Sequence, residues 1–370
     1  MSFKEIFCQD RAIDILQRAF ASDRWAHAYI FAGPEGIGKF KTAREWARLL
    51  LCEKAVMVNG VADGCGLCQS CKLFEAGANP DFIHIYKELL EFTKDNAGKK
   101  TPIDLPIDVI REFLIAKAPS RPTISHRKVF VVSEAERLNI SSQNSLLKVL
   151  EEPPEYCCIV LLCTRLEKLL PTTKSRCQTI RFGLIDESMI IEILKEKGLR
   201  EEPARYFARL AQGSLGQACQ WAELEFRDAN LYNTKKELVN SLVGYELADT
   251  LNLAQELLAK SKKIAAEWTN LDTATSRTDI NRRAMKFIVR IIISALHDAM
   301  NLNVARAKKP VNFDQKGQIE KLAARFDAEL AAEKISNCYR VQRWIESSVN
   351  EKLIFEQLLL SLADSDIIRV

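Results

Sequence analysis

The 370-residue chain is long enough for two or three domains, and its 47% hydrophobic and 28% charged residues are those of a globular protein. Its 53 basic and 49 acidic residues leave a net charge of +4. This charge is too small to predict nucleic-acid binding unless the basic residues cluster on one face. Without an apolar run of about 18 residues or a signal-peptide core, we expect a cytoplasmic protein with no membrane partner. Eleven cysteines then favour reduced thiols and a metal site over disulfides.

A phosphate-binding loop organises the first part of the sequence. It lies between a predicted strand over 28–31 and a predicted helix over 39–52, and it follows the pattern Gly-x4-Gly-Lys. Glycines in this pattern let backbone N–H groups face phosphate oxygens, while the lysine neutralises the outer phosphates. The sequence therefore predicts a loop that is able to hold ATP or ADP. Its predicted nucleotide contacts are Gly33, Pro34, Glu35, Gly36, Ile37, Gly38, Lys39 and Phe40.

Two positions depart from what ATP hydrolysis requires. The pattern continues with Ser or Thr as a Mg²⁺ ligand, but the chain has Phe40, and Thr42 lies about 200° away around the helix. In P-loop ATPases an apolar strand also ends in Asp-Glu, which serve the Mg²⁺ and the attacking water. Here the predicted strand Lys128–Glu136 has Ser133 and Glu134 at those places. We therefore expect weak Mg²⁺ binding, with Glu134 either a vestigial catalytic group or a helix-capping carboxylate.

Closely spaced cysteines predict a metal site. Cys65, Cys68 and Cys71 follow one another at two-residue intervals, and Cys52 comes earlier, at the end of the predicted P-loop helix. Such turns place sulfurs on one side of a tight loop, which suits a structural Zn²⁺ held by four thiolates. An iron–sulfur cluster is disfavoured because position 75 is not cysteine. A redox dithiol, which would need only two of the cysteines, and His84 in place of Cys52 stay as alternatives.

The rest of the first half alternates between strands and helices. Further strands are predicted at 79–86, 158–164 and before 182, helices at 6–21, 107–117 and from 139 to the proline pair 153–154, and an exposed loop at 87–106. The apolar strand at 158–164 belongs in the centre of a parallel sheet, with Cys157, Cys158 and Cys163 as core residues. Thr164, at its carboxyl end, falls where such sheets bind ligands.

The second half is predicted to be helical. Arg283–Leu296 carries apolar residues nearly all round, so it should be buried in its domain or at a subunit contact. The basic residues on and beside it are Arg282, Arg283, Lys286 and Arg290. A solvated helix face is the preferred explanation for them, and nucleic-acid contact is the alternative.

Four stretches together resemble the clamp-loader branch of the AAA+ family: His27–Pro34, the cysteine module ending in Asn79-Pro-Asp81, Asn144–Pro154 and Leu169–Cys177. The resemblance covers roughly residues 1–220. It implies an α/β plus all-α fold, with a P-loop AAA+ parallel-sheet domain over 1–184 and a zinc module inserted at about 52–71. A small helical lid over 185–226 and a C-terminal helical collar over 227–370 would follow.

The resemblance also implies roles for single residues. Arg176 of Ser-Arg-Cys would be an arginine finger for ATP on a neighbouring subunit, where a guanidinium stabilises the transferred phosphoryl group. A surface salt bridge is the alternative for Arg176. Thr164 would be a sensor residue. A motor subunit needs an arginine in the lid where this chain has Gly216. Three catalytic groups, at Phe40, Ser133 and Gly216, are thus absent together while the finger is retained.

We therefore expect an ATPase-deficient subunit of the DNA polymerase III clamp loader that serves DNA replication without being itself catalytic. The resemblance implies a hetero-oligomer with the gamma or tau motor subunits and the delta subunit, acting with the sliding clamp and primer–template DNA. One alternative is an active gamma/tau-like AAA+ motor ATPase whose Mg²⁺ is held through water. A more remote one is a zinc-dependent DNA-binding protein with a vestigial P-loop.

Overall fold

The computed structural model describes residues 3–58, 60–93, 104–227, 229–272, 275–304, 309–347 and 350–363. The chain divides into two compact units. Unit 1 is Met1–Asp186 with Ser214–Gly216, and unit 2 is Glu187–Gly213 with Gln217–Val370. The finer division into a sheet domain, a lid and a collar stays a prediction.

Unit 1 is an α/β unit in which strands and helices alternate, as predicted. Its strands are β1 Ala28–Ala32, β2 Val56–Val58, β3 Val61–Asp63, β4 Phe82–Ile85, β5 Lys128–Val132, β6 Cys157–Cys163 and β7 Gln178–Arg181. Its helices are α1 Asp10–Ala21, α2 Lys39–Leu51, α3 Gln69–Glu75, α4 Ile107–Ile110, α5 Ile140–Glu151 and α6 Pro171–Lys174, and a π-helical turn Arg111–Ile115 follows α4. The antiparallel hairpin β2–β3 and helix α3 were not predicted.

Five parallel strands form the main sheet in the order β4-β5-β6-β1-β7. Strand β6 lies inside the sheet and is buried along its whole length, so its predicted central place and its core cysteines are confirmed. Helices α1 and α2 cover one face, whereas α4, α5 and the segment after β6 cover the other. Because the segments that follow the neighbouring strands β1 and β6 lie on opposite faces, their carboxyl ends mark the place where such sheets bind ligands.

Side-chain contacts explain where the main helices of unit 1 lie and end. Helix α2 packs on the sheet through the fully buried Trp46, whose ring meets Tyr29 edge to face at 6.0 Å between centroids. Helix α5 begins at the N-cap Asn139, whose side chain accepts a hydrogen bond from the N–H of Ser142 at 2.8 Å. It ends at Glu151, before the predicted proline stop.

Several predicted element ends were wrong. The helix expected from Ile6 begins at Asp10, because the Gln9 side chain bonds the carbonyls of Ile37 and Gly183 and holds the preceding segment against the loop. The strand expected to reach Glu136 ends at Val132, and the backbone turns after it. The strand expected over 79–86 spans only β4, and the helix expected over 107–117 becomes a π-helical turn after α4. Of the expected loop at 87–106, Lys87–Phe92 is a 3-10 helix, and 94–103 lies outside the described residues.

Unit 2 is helical in its described residues. Its helices are α7 Glu187–Glu196, α8 Glu201–Ala211, α9 Leu215–Phe226, α10 Leu231–Val243, α11 Thr250–Leu271, α12 Arg277–Asn303, α13 Lys316–Arg325, α14 Ala328–Ile345 and α15 Glu351–Leu362, the first residues of α9 belonging to unit 1. Helix α12 is largely buried, which confirms the burial predicted for Arg283–Leu296. Among the described residues, none of the helices has the length and apolar character needed to cross a membrane.

The basic residues of α12 have partners within unit 2. Arg283 pairs with Asp272 at 3.2 Å, Lys286 pairs with Glu346, and Arg290 donates a hydrogen bond to Gln217 at 2.6 Å. The sequence favoured a solvated helix face, and the structure shows these side chains partly buried and paired within the unit. Nucleic-acid contact by this cluster has no support in these contacts.

The loop before β5 is held by one buried carboxylate. Asp81, which is fully buried, accepts hydrogen bonds from the backbone N–H groups of Thr123, Ile124 and Ser125 at 2.7–2.8 Å. Asn79 adds a second link, because its amide donates to the carbonyl and hydroxyl of Ser70 in α3. The Asn-Pro-Asp sequence therefore joins the cysteine module to the sheet.

We expect Asp81→Ala to lower the free energy of unfolding by about 3 kcal/mol, because each buried N–H left without an acceptor costs about 1–3 kcal/mol. Urea denaturation followed by circular dichroism measures this loss. Asp14→Ala is the control, since Asp14 is 64% exposed and its 3.8 Å contact with Arg18 is worth about 0.5 kcal/mol or less. A loss as small as that of the control would show that the loop does not depend on Asp81.

Candidate nucleotide and metal sites

The P-loop connects β1 to α2. It is a closed loop in the sense that its lysine side chain bonds back to carbonyls of the same loop. Gly38 caps α2 with a φ of +99°, a conformation that favours glycine. The buried Lys39 amine donates to the carbonyl oxygens of Gly33 at 2.6 Å and Pro34 at 2.5 Å. Burial lowers the pKa of Lys39, and the carboxylates of Glu136 and Glu35 oppose that shift. The Lys39 amine is therefore bonded to carbonyls of its own loop, and the carboxylates of Glu136 and Glu35 are close enough to affect its pKa.

The short segment Ser214–Gly216 also contacts the P-loop within unit 1. The N–H of Gly216 donates to the carbonyl of Gly36 at 2.7 Å, and the hydroxyl of Ser214 donates to the carbonyl of Glu35 at 2.8 Å. A Cβ atom at position 216 would lie 2.8 Å from the Cα of Gly36, so this approach requires glycine. Where the resemblance expects an arginine, the chain therefore has a close backbone contact.

Uncharged side chains stand at the two positions that would hold Mg²⁺ in a hydrolysing P-loop. The ring of Phe40 lies 4.6 Å from the ring of His84, centroid to centroid, and His84 Nε2 lies 2.8 Å from Ser133 Oγ. The His84 ring also packs at 4.9 Å from Tyr86. Burial lowers the pKa of His84 to about 4, so the imidazole is neutral at pH 7. This Phe40–His84–Ser133 cluster offers none of the charged oxygen ligands that Mg²⁺ prefers.

Two glutamates follow β5 and have different partners. Glu134 has a left-handed φ of 52°, pairs with Arg137 at 3.0 Å, and has its pKa raised by burial. Glu136 accepts hydrogen bonds from the hydroxyl of Thr164 and, at 3.2 Å, from its backbone N–H. The structure thus brings Glu136 and Thr164 together, and the Glu136 carboxylate is close enough to Lys39 to affect its pKa. Glu136 was not predicted from the sequence, although its place just beyond a strand at the ligand-binding edge was a usable signal.

Arg176 follows α6 and is paired within its own chain. Its Nη2 lies 2.5 Å from a Glu151 carboxylate oxygen, and its Nη1 donates to the carbonyl of Thr172 at 2.9 Å. The side chain is 33% exposed. The salt bridge considered from the sequence is therefore present, and the arginine-finger role stays a prediction.

The four predicted metal ligands converge. The sulfur atoms of Cys52, Cys65, Cys68 and Cys71 all lie within 4.8 Å of one another. A tetrahedral site with Zn–S bonds of about 2.3 Å separates sulfurs by about 3.8 Å, and the sulfurs of Cys52 and Cys68 are 4.0 Å apart. His84 lies in the cluster with Phe40 and Ser133, so the sequence alternative that put it in place of Cys52 was wrong.

Backbone hydrogen bonds favour thiolates at this cluster. The N–H groups of Cys65, Cys68 and Cys71 donate to the sulfurs of Cys52, Cys65 and Cys68 at 3.2–3.4 Å. The N–H group of Cys68 is the largest cause that lowers the pKa of the Cys65 thiol, which falls to about 6, whereas burial raises the pKa of Cys52 and of Cys71. Four sulfur donors at this spacing, with N–H groups directed at them, fit a metal ion that prefers thiolate ligands.

The chain is similar to subunits of one protein family. The family model described as "DNA polymerase III, delta subunit" matches residues 8–186, and the one described as "DNA polymerase III, delta subunit, C terminal" matches residues 251–364. The DNA polymerase III subunit gamma of Buchnera aphidicola subsp. Schizaphis graminum is 30% identical over 289 residues, which are 73% of this chain and 74% of that subunit. The chain belongs to the DNA polymerase III clamp-loader family. Its membership and its five-stranded parallel sheet confirm the predicted fold class.

Relatives of two kinds occur within this family. The subunit delta' of Bacillus subtilis is 24% identical over 370 residues, which are 98% of this chain and 99% of that subunit. The subunit tau/gamma of Haemophilus influenzae is 32% identical over 250 residues, which are 66% of this chain. The chain covers 33% of the length of that tau/gamma subunit. Similarity alone therefore assigns the family and leaves the type of subunit to the site.

We expect His84 to make the stability of unit 1 depend on pH. Its pKa is 6.5 in the unfolded chain and about 4 in the fold, so between these values the unfolded chain binds more protons. The free energy of unfolding should therefore fall as the pH falls from 6.5 to 4, by at most about 3 kcal/mol. Urea denaturation over this pH range measures the slope. His84→Gln should reduce the slope and the exposed-site control His126→Gln should not; equal slopes in wild type and His84→Gln would contradict this.

Proposed function

We propose that the chain is a clamp-loader subunit of the delta prime type. In this role it does not hydrolyse ATP and donates Arg176 to the ATP site of a neighbouring subunit while the sliding clamp is loaded during DNA replication. The observation that carries the proposal is the Phe40–His84–Ser133 cluster. Phosphoryl transfer depends on Mg²⁺ to neutralise charge between the outer phosphates, and this cluster removes both protein groups that would hold the ion.

The closed P-loop also supports this proposal. Its Gly36 carbonyl is bonded by Gly216, and Lys39 is bonded to other carbonyls of the loop. ATP or ADP can bind only if Lys39 exchanges those carbonyls for phosphate oxygens. An arginine at position 216, which a motor subunit would use on the phosphates, is replaced by a contact that leaves no space for a side chain.

The proposed partners follow from the family. The B. subtilis delta' subunit matches this chain almost end to end, whereas the match to the H. influenzae tau/gamma subunit covers 33% of that protein. We propose gamma or tau and delta as partner subunits, and the sliding clamp and primer–template DNA as the substrates of the complex. Arg176 is suited to its role because its side chain is partly exposed and carries a guanidinium.

A gamma/tau-like motor is the second candidate. Glu136 favours it, because its carboxylate lies beside Thr164 and influences Lys39, as a group that orients the attacking water would. In that case Mg²⁺ would be held through water and not by Phe40 or Ser133. The 30% identity to the Buchnera gamma subunit is consistent with this alternative.

Steady-state ATPase activity separates the two candidates. We expect no turnover by the isolated chain, and turnover when it is reconstituted with gamma or tau and delta. In the complex, Arg176→Ala should slow hydrolysis at the site it serves by about a thousandfold, the usual worth of an arginine finger. Glu151→Ala is the matched control, since it removes the intrachain salt bridge and leaves the guanidinium in place. It should leave hydrolysis in the complex nearly unchanged.

Three results would contradict parts of this proposal. Turnover by the isolated wild-type chain would favour the motor candidate. Normal turnover by the complex that contains Arg176→Ala would make Arg176 a structural residue only. Equal losses in Arg176→Ala and Glu151→Ala would assign the effect to the salt bridge and not to the finger.

We also propose that Cys52, Cys65, Cys68 and Cys71 hold a structural Zn²⁺. Four protein ligands leave no position for a reactive water, so the ion would join the end of α2 to the hairpin and to α3. The purified chain should contain about one zinc per molecule by mass spectrometry, and chelation should lower its melting temperature. Cys71→Ser should lose the metal, whereas the control Cys219→Ser in α9 should keep it. A zinc-free wild-type chain with an unchanged melting temperature under chelation would contradict the proposal.

A further inference from the structure

Arg48, in the last turn of α2, is a buried arginine beside the cysteine cluster. Its Nε donates to a Glu45 carboxylate oxygen at 2.8 Å, its Nη1 donates to the Gly64 carbonyl at 3.3 Å, and its Nη2 pairs with Asp63. The side chains of Arg48 and Asp63 are 6% and 7% exposed, and that of Glu45 is 1% exposed. Removing these charges from water is costly, and replacing such a network by apolar residues is often neutral or stabilising. Stability alone therefore does not explain why it lies here.

The network holds the segment that brings Cys65 to the cluster. Asp63 is the last residue of β3, and its Oδ1 also accepts the N–H of Gly64 at 2.8 Å. A Cβ atom on Gly64 would lie 3.1 Å from Arg48 Cγ and 3.2 Å from Nη1, so the guanidinium lies directly against this backbone. The next residue is Cys65, whose N–H donates to the sulfur of Cys52 at 3.2 Å.

Arg48 thereby connects two separate parts of the ligand set. Cys52 is the C-cap of α2, one helical turn beyond Arg48, whereas Cys65 follows the hairpin. The arginine fork bonds the helix through Glu45 and the hairpin through Asp63, with a geometry that lysine cannot reproduce.

We infer that Arg48 is a positioning residue for the metal site, which it prepares by fixing the Asp63–Gly64–Cys65 segment against the end of α2. This inference rests on the proposed metal site. Partners of metal ligands commonly contribute a factor of about 10–100 to metal affinity. Arg48 is such a partner through the backbone of the ligand loop.

The test uses Co²⁺ as the probe, because its visible absorption reports the geometry of a thiolate site. Co²⁺ affinity, its absorption spectrum and its release to a chelator are measured on the full chain. We expect Arg48→Met to bind Co²⁺ about 10–100-fold more weakly, with a shifted spectrum and faster release. Arg48→Lys should recover only part of this loss, because one amine cannot reach Glu45, Asp63 and Gly64 together.

The control is Lys235→Met in unit 2. Lys235 is a buried cation paired with the carboxylate of Asp314, so its loss should lower stability and leave Co²⁺ binding unchanged. The double variant Arg48→Met/Asp63→Asn should bind Co²⁺ no more weakly than Arg48→Met, since both substitutions break the same network. Additive losses in the double variant would overturn the proposed route through Asp63.

The outcomes separate this inference from the metal proposal. If wild type takes up Co²⁺ and Arg48→Met matches its affinity, spectrum and release, the metal site stands and the Arg48 inference falls. If wild type takes up no Co²⁺, both fall. If Arg48→Met does not fold, the inference is tested with Asp63→Asn and Gly64→Ala instead. Both variants keep Arg48 and disturb its contacts. Unchanged Co²⁺ binding in both variants would overturn the inference.

Discussion

Helix α2 is the element on which both candidate sites of unit 1 depend. It begins at the P-loop, where Gly38 is its N-cap, and Cys52 of the cysteine cluster is its C-cap. Its 13 residues, buried against the sheet through Trp46, form a rod about 20 Å long. The cysteine cluster at one end and the phosphate-binding loop at the other are therefore joined by one rigid element.

The carbonyl groups of the P-loop have hydrogen-bond partners within unit 1. Carbonyls of four successive positions accept hydrogen bonds: Gly33 and Pro34 from Lys39, Glu35 from Ser214, and Gly36 from Gly216. These bonds fasten the loop to the start of α2 and to the segment Ser214–Gly216. The neutral stack of Phe40 on His84 completes this arrangement where a cation would otherwise be needed.

In unit 2, the short segment 310–314 contacts several helices. Asp298 of α12 accepts the N–H groups of Val311 and Asn312, and Arg209 of α8 donates to the carbonyl of Pro310 at 2.6 Å. The buried Lys235 of α10 pairs with Asp314. Helices assigned from the sequence to a lid and to a collar therefore share an anchor within one compact unit. Breaking such a buried pair by removing one partner would leave an uncompensated buried charge.

Features that are encoded by local spacing could be predicted from the amino-acid sequence. The P-loop, the apolar central strand and the four cysteines were found because glycine position, hydrophobic periodicity and ligand spacing act over a few residues. The same holds for the missing Mg²⁺ ligands at Phe40 and Ser133. The tertiary structure decided which distant groups meet: His84 with Ser133, Ser214 with Glu35, and Arg48 with Asp63. Such contacts depend on strand order and on how the helices pack, which no local pattern specifies, so the alternative that put His84 in place of Cys52 was wrong, and Glu136 and Arg48 were overlooked.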